Sequence, residues 1–521
     1  MRFRDLIWKI STTAILFFLL IAPVVPADQE EKFNLAEFRK GIEGKIQKRT
    51  LANGLRVIAM QQTSSPTVAC YLKIGVGSSD EPFDQSGTAH FLEHLLFKGT
   101  KQMGTTDFAA EKVYLEQIEA DGERIDSLER ALLNPLLTDA ERRKMTAALA
   151  VLHDRLERWQ KKAQQYIISE EDSQAYSLAG QMGYNAYMTA DVTNYQIKLP
   201  AHRLEMWAEL ESNRFLDPVL REFYPERKVI KEERRMRYDS RPTSLLYELF
   251  LKTAYGFSPY GKPVIGFEKS MHRLRLRETR EFFNANYVPS RMVIAIVGDI
   301  EFEKTFRIID KYFGRLKARP APEFPPTVYE PQKGRRLAWL EAKNSPAMIT
   351  GWSRPPVTHK DDRALEVLSR LLGDGQQSRL VNRLVIRDKL AGDVKVGSST
   401  PGEKLDNQFT IFADVFDAAH YSDIEKAIAD ELEKLKTEGP APEELQKIKN
   451  RYIAEIVHTL QQNAGMADTL SYYELLLNDY GKMFTVFEEI SEIDPARIRQ
   501  VVAAYFRETT NTTVYLKPMG K

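Results

Sequence analysis

The sequence predicts an α/β (α+β) fold in which two homologous sheet-plus-helices domains follow one another, with a helical hairpin inserted in the first. Three observations carry this expectation. A strand-like run introduced by Ser65-Pro66, TVACYLKIGVGS, returns downstream as AMITGW after Ser345-Pro346. The helix and strand that close the first copy, FFNANYVPSRMVIAIVGD, return as VVAAYFRETTNTTVYLKP near the end of the second. Two copies of one unit account for both recurrences. Between them, RPAPEFPPTVYEPQ (residues 319–332) is Pro-rich and reads as a linker. A length of 521 residues leaves room for two to four domains, and the repeat selects two. The predicted division is a leader at 1–27, a first domain at 45–318 with its insertion at about 112–168, the linker, and a second domain at 333–521.

The leader begins MRFRDLIWK, with Arg2, Arg4 and Lys9, and continues into ISTTAILFFLLIAPVV. Val25-Pro26-Ala27 then supplies small residues of the kind a signal peptidase reads, so the segment is expected to be a signal peptide that exports the protein, in a bacterium to the periplasm. The alternatives are secretion and an uncleaved anchor, which would attach the chain to a membrane; for the anchor the apolar run is short for a span and Pro23 and Pro26 interrupt its end. Cys70, the one cysteine, lies in the apolar run TVACYLKIGVG and reads as a buried thiol.

Next comes HFLEHLLFKGT. His90 and His94, four residues apart, share one face of a helix and can grip one zinc ion, with the Glu93 carboxylate beside it. With 8 histidines in the chain, chance would produce H-x-x-E-H in roughly one such sequence in a hundred. Phe91, Leu92, Leu95, Leu96 and Phe97 make the helix apolar nearly all round, and buried imidazoles beside a buried carboxylate call for a cation. Thr88 or Ser86 is expected to cap the helix start.

The hairpin follows. Leu115, Ile118, Ile125, Leu128 and Leu132 form one stripe, Asn134-Pro135 breaks it, and Thr138 or Asp139 caps a second helix carrying Met145, Leu149, Leu152, Leu156, Trp159 and Tyr166. Its functional reading is a lid or docking arm; the other is an inert surface insertion. After the strand-like residues 184–189 comes REFYPERKVIKEERRMRYD, where Phe223, Glu226, Val229, Ile230, Glu233 and Met236 fall on one helical stripe. Acids on an inward face are costly unless neutralised. Catalytic zinc takes three protein ligands and leaves a position open, so Glu233 is the candidate third ligand and Glu226 the acid that orients a ligand or the water.

H-x-x-E-H, the Asn-Ala segment GYNAYMTADVTNYQIKLP and the E-R-x-V-I-x-E-E helix, in that order, resemble the pitrilysin/insulinase family of zinc peptidases, especially its two-domain bacterial and processing-peptidase-type members. The resemblance covers nearly everything after the leader. It implies one Zn2+ per chain on His90, His94 and Glu233, Glu93 as general base, and Glu226 as an auxiliary acid. It also implies a sheet edge that accepts a peptide substrate as an added strand, with Asn185 and Ala186 as candidate contacts; the alternative is a plain buried strand with Tyr187 in the core. The second copy departs from the metal-binding pattern. Glu366, Ser369 and Arg370 stand where His90, Glu93 and His94 stand in the first. The family's carbonyl-holding arginine and tyrosine would fall at Val385 and Gly392, with Arg383 and Arg387 out of register. That absence implies a metal-free homologous partner subunit in a heterodimer, or, as the alternative, a homodimer.

A balance of 74 basic against 73 acidic residues gives no bulk field for nucleic acid or an anionic membrane. Two functions therefore compete: an exported zinc metalloendopeptidase acting on extended or unfolded peptides, and a catalytically silent peptide-binding or scaffold subunit of a peptidase complex.

Overall fold

The structure is a computed structural model that describes residues 35–322, 332–343 and 345–519. The predicted leader and residues 323–331 of the predicted linker lie outside the described residues. Leu35–Glu43 is a helix of a unit separate from the body at 44–521.

Among the described residues the body contains two sheets. The first runs β1 (Ile46–Thr50), β2 (Arg56–Gln61), β3 (Thr67–Ile74), β4 (Met182–Met188), β5 (Thr193–Pro200) and β6 (Met292–Gly298), in the spatial order β1-β2-β6-β3-β5-β4. The second runs β7 (Arg336–Ala342), β8 (Ala347–Arg354), β9 (Ala391–Thr400), β10 (Asn407–Val415) and β11 (Asn511–Pro518), in the order β7-β11-β8-β10-β9. Without β1 the two orders are the same. In each sheet one pair is parallel, β2 with β6 and β7 with β11, and every other pair is antiparallel. The recurrence of the sequence is thus a recurrence of topology.

Near-continuous apolar runs make β3 and β6 buried along almost their whole length, which requires cover on both faces. One covering helix is exchanged between the halves. Asn463–Leu477, from the second half, packs on β3 and β6, while Pro242–Tyr255, from the first, packs on β7, β8 and β11. On the latter helix Leu246, Phe250, Leu251 and Ala254 bury against Ala347, Ile349, Val514 and Leu516. Each such large side chain contributes about 1.5–3 kcal/mol of burial, so the halves hold each other as tightly as a core.

The hairpin forms as expected, with helices Phe108–Leu132 and Asp139–Ala163 packed on one another. Thr138 caps the second in a reciprocal box with Glu141. At the hairpin base the wholly buried Arg221 pairs with Glu111 at 2.6 Å and donates to the carbonyls of Lys98 and Met103, fixing the insertion to the loop that follows the histidines.

Candidate metal centre

The histidines lie on the helix Thr88–Leu96, buried between the first sheet and the helix Phe223–Arg234 that carries the two acids. Neither Thr88 nor Ser86 caps it. The N-cap is Gly87 in the left-handed region (φ 96°), where an added Cβ would meet Ile265 O at 2.7 Å. The side chain of Glu81 accepts from Gly87 N at 2.9 Å and Ala89 N at 2.7 Å, and Ser86 Oγ is spent on Phe267 N. Burial pushes the Glu81 carboxyl up, against the opposing pull of Lys262. At the other end Arg214 donates to Leu96 O at 2.6 Å, while itself pairing with Glu211 and Asp172 and lying over the Phe97 ring. The helix is therefore gripped by a carboxylate at its start and a guanidinium at its end, as its dipole favours.

On this helix the two imidazoles lie edge to face at 4.8 Å between centroids. Glu233 Oε2 sits 3.7 Å from His90 Nε2 and 3.4 Å from His94 Nε2. Four ligands on zinc at about 2.0–2.1 Å stand about 3.3 Å apart, close to these spacings. Glu233 Oε2 is buried and has no hydrogen-bond partner, the signature of an oxygen aimed at something other than a protein donor. The three residues are the one such grouping of potential ligands among the described residues. The donor set fits a zinc ion.

The surroundings prepare each group. Burial, with His94 and Arg237 nearby, holds His90 down to about 3, so its ring is neutral, as a metal ligand must be. His94 Nδ1 faces Glu226 Oε1 at 2.9 Å; a carboxylate only accepts, so Nδ1 carries the proton and Nε2 keeps a free lone pair. Burial alone would lower His94, but the Glu226 bond and the surrounding carboxylates raise it. Lys98 reaches the other oxygen of Glu226 at 2.6 Å. Burial would raise Glu226, yet the bonds from His94 and Lys98 bring it below its ordinary value. Arg237 holds Glu233 Oε1 at 3.0 Å, leaving Oε2 to the histidines. Burial raises Glu93 to about 7, the range suited to taking and returning a proton near neutrality.

Glu93 and His94 open onto a cleft of about 600 Å³, also lined by Phe97, Tyr184 and Asn185 and by residues 167–173 that follow the hairpin. β4 is the edge strand expected beside the metal residues. Asn185 is exposed and lines the cleft, whereas Ala186, Tyr184 and Met188 pack on the core. Tyr187 is not in the core; its hydroxyl accepts from Lys73 on the opposite face.

The structure places His90, Glu93, His94 and Glu233 close together, but the acid-bearing stripe is narrower than the sequence pattern predicts. Val229 and Met236 are more than half exposed, and Arg234, which lies off that stripe, is buried on Glu248 at 2.8 Å. Glu81, Lys98, Arg214 and Arg237 were missed. In the second half, Arg383 pairs with Asp430 and Glu431, and Arg387 with Asp388, so neither arginine stands free.

The profile described as insulinase (peptidase family M16) matches residues 56–158, and that described as peptidase M16 inactive domain matches residues 273–452. The chain belongs to the insulinase, or M16, family of peptidases. The first match spans His90, Glu93 and His94 and ends before Glu226 and Glu233. Over 476 residues the chain is 28% identical to a zinc protease, PqqE, of Helicobacter pylori, covering 90% of this chain and 92% of that protein. A crystal structure of a protease from the same organism superposes with a TM-score of 0.74 at 27% identity, over 91% of this chain and all of the other. The first half of the periplasmic protease PqqL from Escherichia coli shares the fold, with a TM-score of 0.63 at 17% identity over 91% of this chain and 92% of the other.

Proposed function

We propose that the protein is a zinc metalloendopeptidase that hydrolyses extended or unfolded peptides after export to the periplasm. The observation that carries this reading is the buried, unpartnered Oε2 of Glu233 beside the Nε2 atoms of two histidines, with Glu93 next to them. His90, His94 and Glu233 would hold one Zn2+, which supplies Lewis acidity to a water nucleophile. Glu93 takes the proton of the water as its oxygen attacks the peptide carbonyl carbon. When the C–N bond breaks, Glu93 delivers that proton to the leaving amine. Glu226, braced by Lys98, fixes the His94 ring through Nδ1. The free edge of β4, with Asn185 and Ala186 as contacts, aligns the peptide through main-chain bonds, so many side chains are tolerated.

The domains take the division read from the sequence, a zinc-bearing peptidase domain at 45–318 and a metal-free one at 333–521, behind an export leader at 1–27. Arg383 and Arg387 are engaged elsewhere, which supports supply of the carbonyl-holding pair by a metal-free homologous subunit in a heterodimer, or by a second copy. The same observation favours a second reading, a silent peptide-binding subunit. Elemental analysis tests the metal centre: about one zinc per chain is expected in the wild type and none in Glu233→Ala. A peptide-library digest with and without co-purifying protein separates the two functions, because a silent subunit cuts nothing in either condition.

A further inference from the structure

A buried lysine that the metal centre does not use joins the two halves behind the edge strand β4. Lys73, 2% exposed, lies on β3 on the face away from the histidine helix. Its ammonium has three donors and no acceptor, and each donor finds an oxygen. These are the Tyr187 hydroxyl on β4 at 2.8 Å, Asn194 Oδ1 on β5 at 3.1 Å, and Asp468 Oδ1 at 2.6 Å on the helix Asn463–Leu477 from the second half. The Tyr187 hydroxyl, accepting from Lys73, keeps its own proton for Asp468 Oδ1 at 3.4 Å. Lys73 stands opposite Asn194 across β3 and β5, and Asn194 stands opposite Tyr187 across β5 and β4, so the three side chains form one row across the sheet. From this row Asn194 Nδ2 donates to Gln196 Oε1 at 3.0 Å, and Gln196 is the cross-strand neighbour of Asn185. The network therefore ends on both sides of Ala186.

β4 needs such a tether. Its pairing with β5 is regular only over Asn185–Met188, after an irregularity that begins at Met182, and so short a strand at a sheet edge frays unless it is tied down. A frayed strand must be ordered before a peptide can add to it, and that ordering is subtracted from the affinity. We propose that Lys73 is a positioning residue: through Tyr187 it holds β4 in the extended form with which a peptide substrate pairs, and Asp468 makes that hold depend on the second half. The consequence for substrate rests on the peptidase reading; the tether itself does not. The second half thereby acts on the substrate strand from behind, without touching the substrate.

Tyr187→Phe and Asp468→Asn, both at partly exposed positions, test this in the full chain. In either variant, hydrogen exchange read by mass spectrometry is expected to quicken about tenfold over residues 184–188, with β3 and β6 unchanged, as the loss of one charge-assisted bond implies. With fluorescein-labelled β-casein, an unfolded chain, as substrate, Tyr187→Phe is expected to raise KM about tenfold and to leave kcat within about twofold, because the lost alignment serves ground and transition states alike. Asp468→Asn is expected to raise KM similarly by itself and to add nothing to Tyr187→Phe, since both act through one tether. Unchanged exchange over 184–188 overturns the proposal. So does a loss confined to kcat, or full additivity of the two substitutions. If the wild type leaves β-casein uncut, the peptidase reading falls, and exchange alone decides the tether.

Discussion

The two halves share a sheet topology and differ in how the buried helix beside each edge strand settles its charges. In the first, the helix Thr88–Leu96 faces Phe223–Arg234, and an acid oxygen between two imidazoles is left without a protein partner. In the second, the helix Asp362–Gly373 faces Pro442–Leu460 and its polar groups are matched within the protein. Arg370 pairs with Glu455 at 2.6 Å and lies 3.8 Å above the Tyr452 ring, and Glu366 pairs with Arg363 at 2.7 Å. A group left unmatched in a buried site costs stability unless a ligand completes it. The fold therefore presents the same two-helix seat twice, once open and once closed by its own ion pairs.

Equivalent substitutions in the two seats separate them most sharply. Glu93→Gln is expected to reduce peptide cleavage by about 10²–10⁴-fold while zinc content stays at the wild-type level. Ser369→Ala, at the corresponding place in the second half, is expected to change neither. Cleavage by Glu93→Gln at the wild-type rate would remove Glu93 from the chemistry; a large loss in Ser369→Ala would mean that both seats take part. Next in size is Arg214→Ala. It strips a buried guanidinium from Glu211, Asp172 and the end of the histidine helix, and is expected to destabilise the protein by about 3–5 kcal/mol in denaturant unfolding.

How much of this contrast was legible follows from how local each signal is. The pair His90/His94 shows in the sequence because i,i+4 spacing fixes a common face, and Glu233 shows because it keeps step with Ile230. The stripe failed at Met236 because the helix widens to a π-turn over Arg235–Asp239, which rotates later side chains off the 3.6-residue period. No local signal marks Arg234 as buried, because its partner Glu248 lies on another helix, and the helix cap falls to Glu81, which reaches forward from outside the usual capping window. The exchange of Pro242–Tyr255 and Asn463–Leu477 between sheets was invisible for a related reason. Periodicity reports that a helix has an apolar face but not which sheet that face covers.

A smaller effect distinguishes the residues that brace the two seats. Glu226→Ala removes the acceptor of His94 Nδ1 and leaves Lys98 to Glu222 alone, and is expected to weaken zinc binding by about 10–100-fold in a competitive chelator titration. Glu455→Ala breaks the half-exposed pair with Arg370 and is expected to cost at most about 1 kcal/mol, without altering zinc affinity. Equal zinc affinity in the two variants would mean that Glu226 braces nothing.

The smallest expected effect concerns the insertion that only the first half carries. Asp126, on the hairpin helix Phe108–Leu132, is raised to about 6 by burial, which outweighs the opposing pull of Arg227 and Arg275; Arg227 stands 3.8 Å away. A carboxyl raised on folding holds its proton more tightly in the folded protein than in the unfolded chain. Its relative contribution is therefore most favourable below the unfolded value near 4 and is lost as pH climbs through about 6. Asp126→Asn keeps the shape and removes the titration. It is expected to be more stable than the wild type by about 1 kcal/mol at pH 8, with the gap closing below about pH 4. Thermal melts of both proteins across that range check the sign: a variant that is less stable at pH 8 would show that the Arg227 pairing outweighs burial. The hairpin would then be held to the body by charge and not in spite of it.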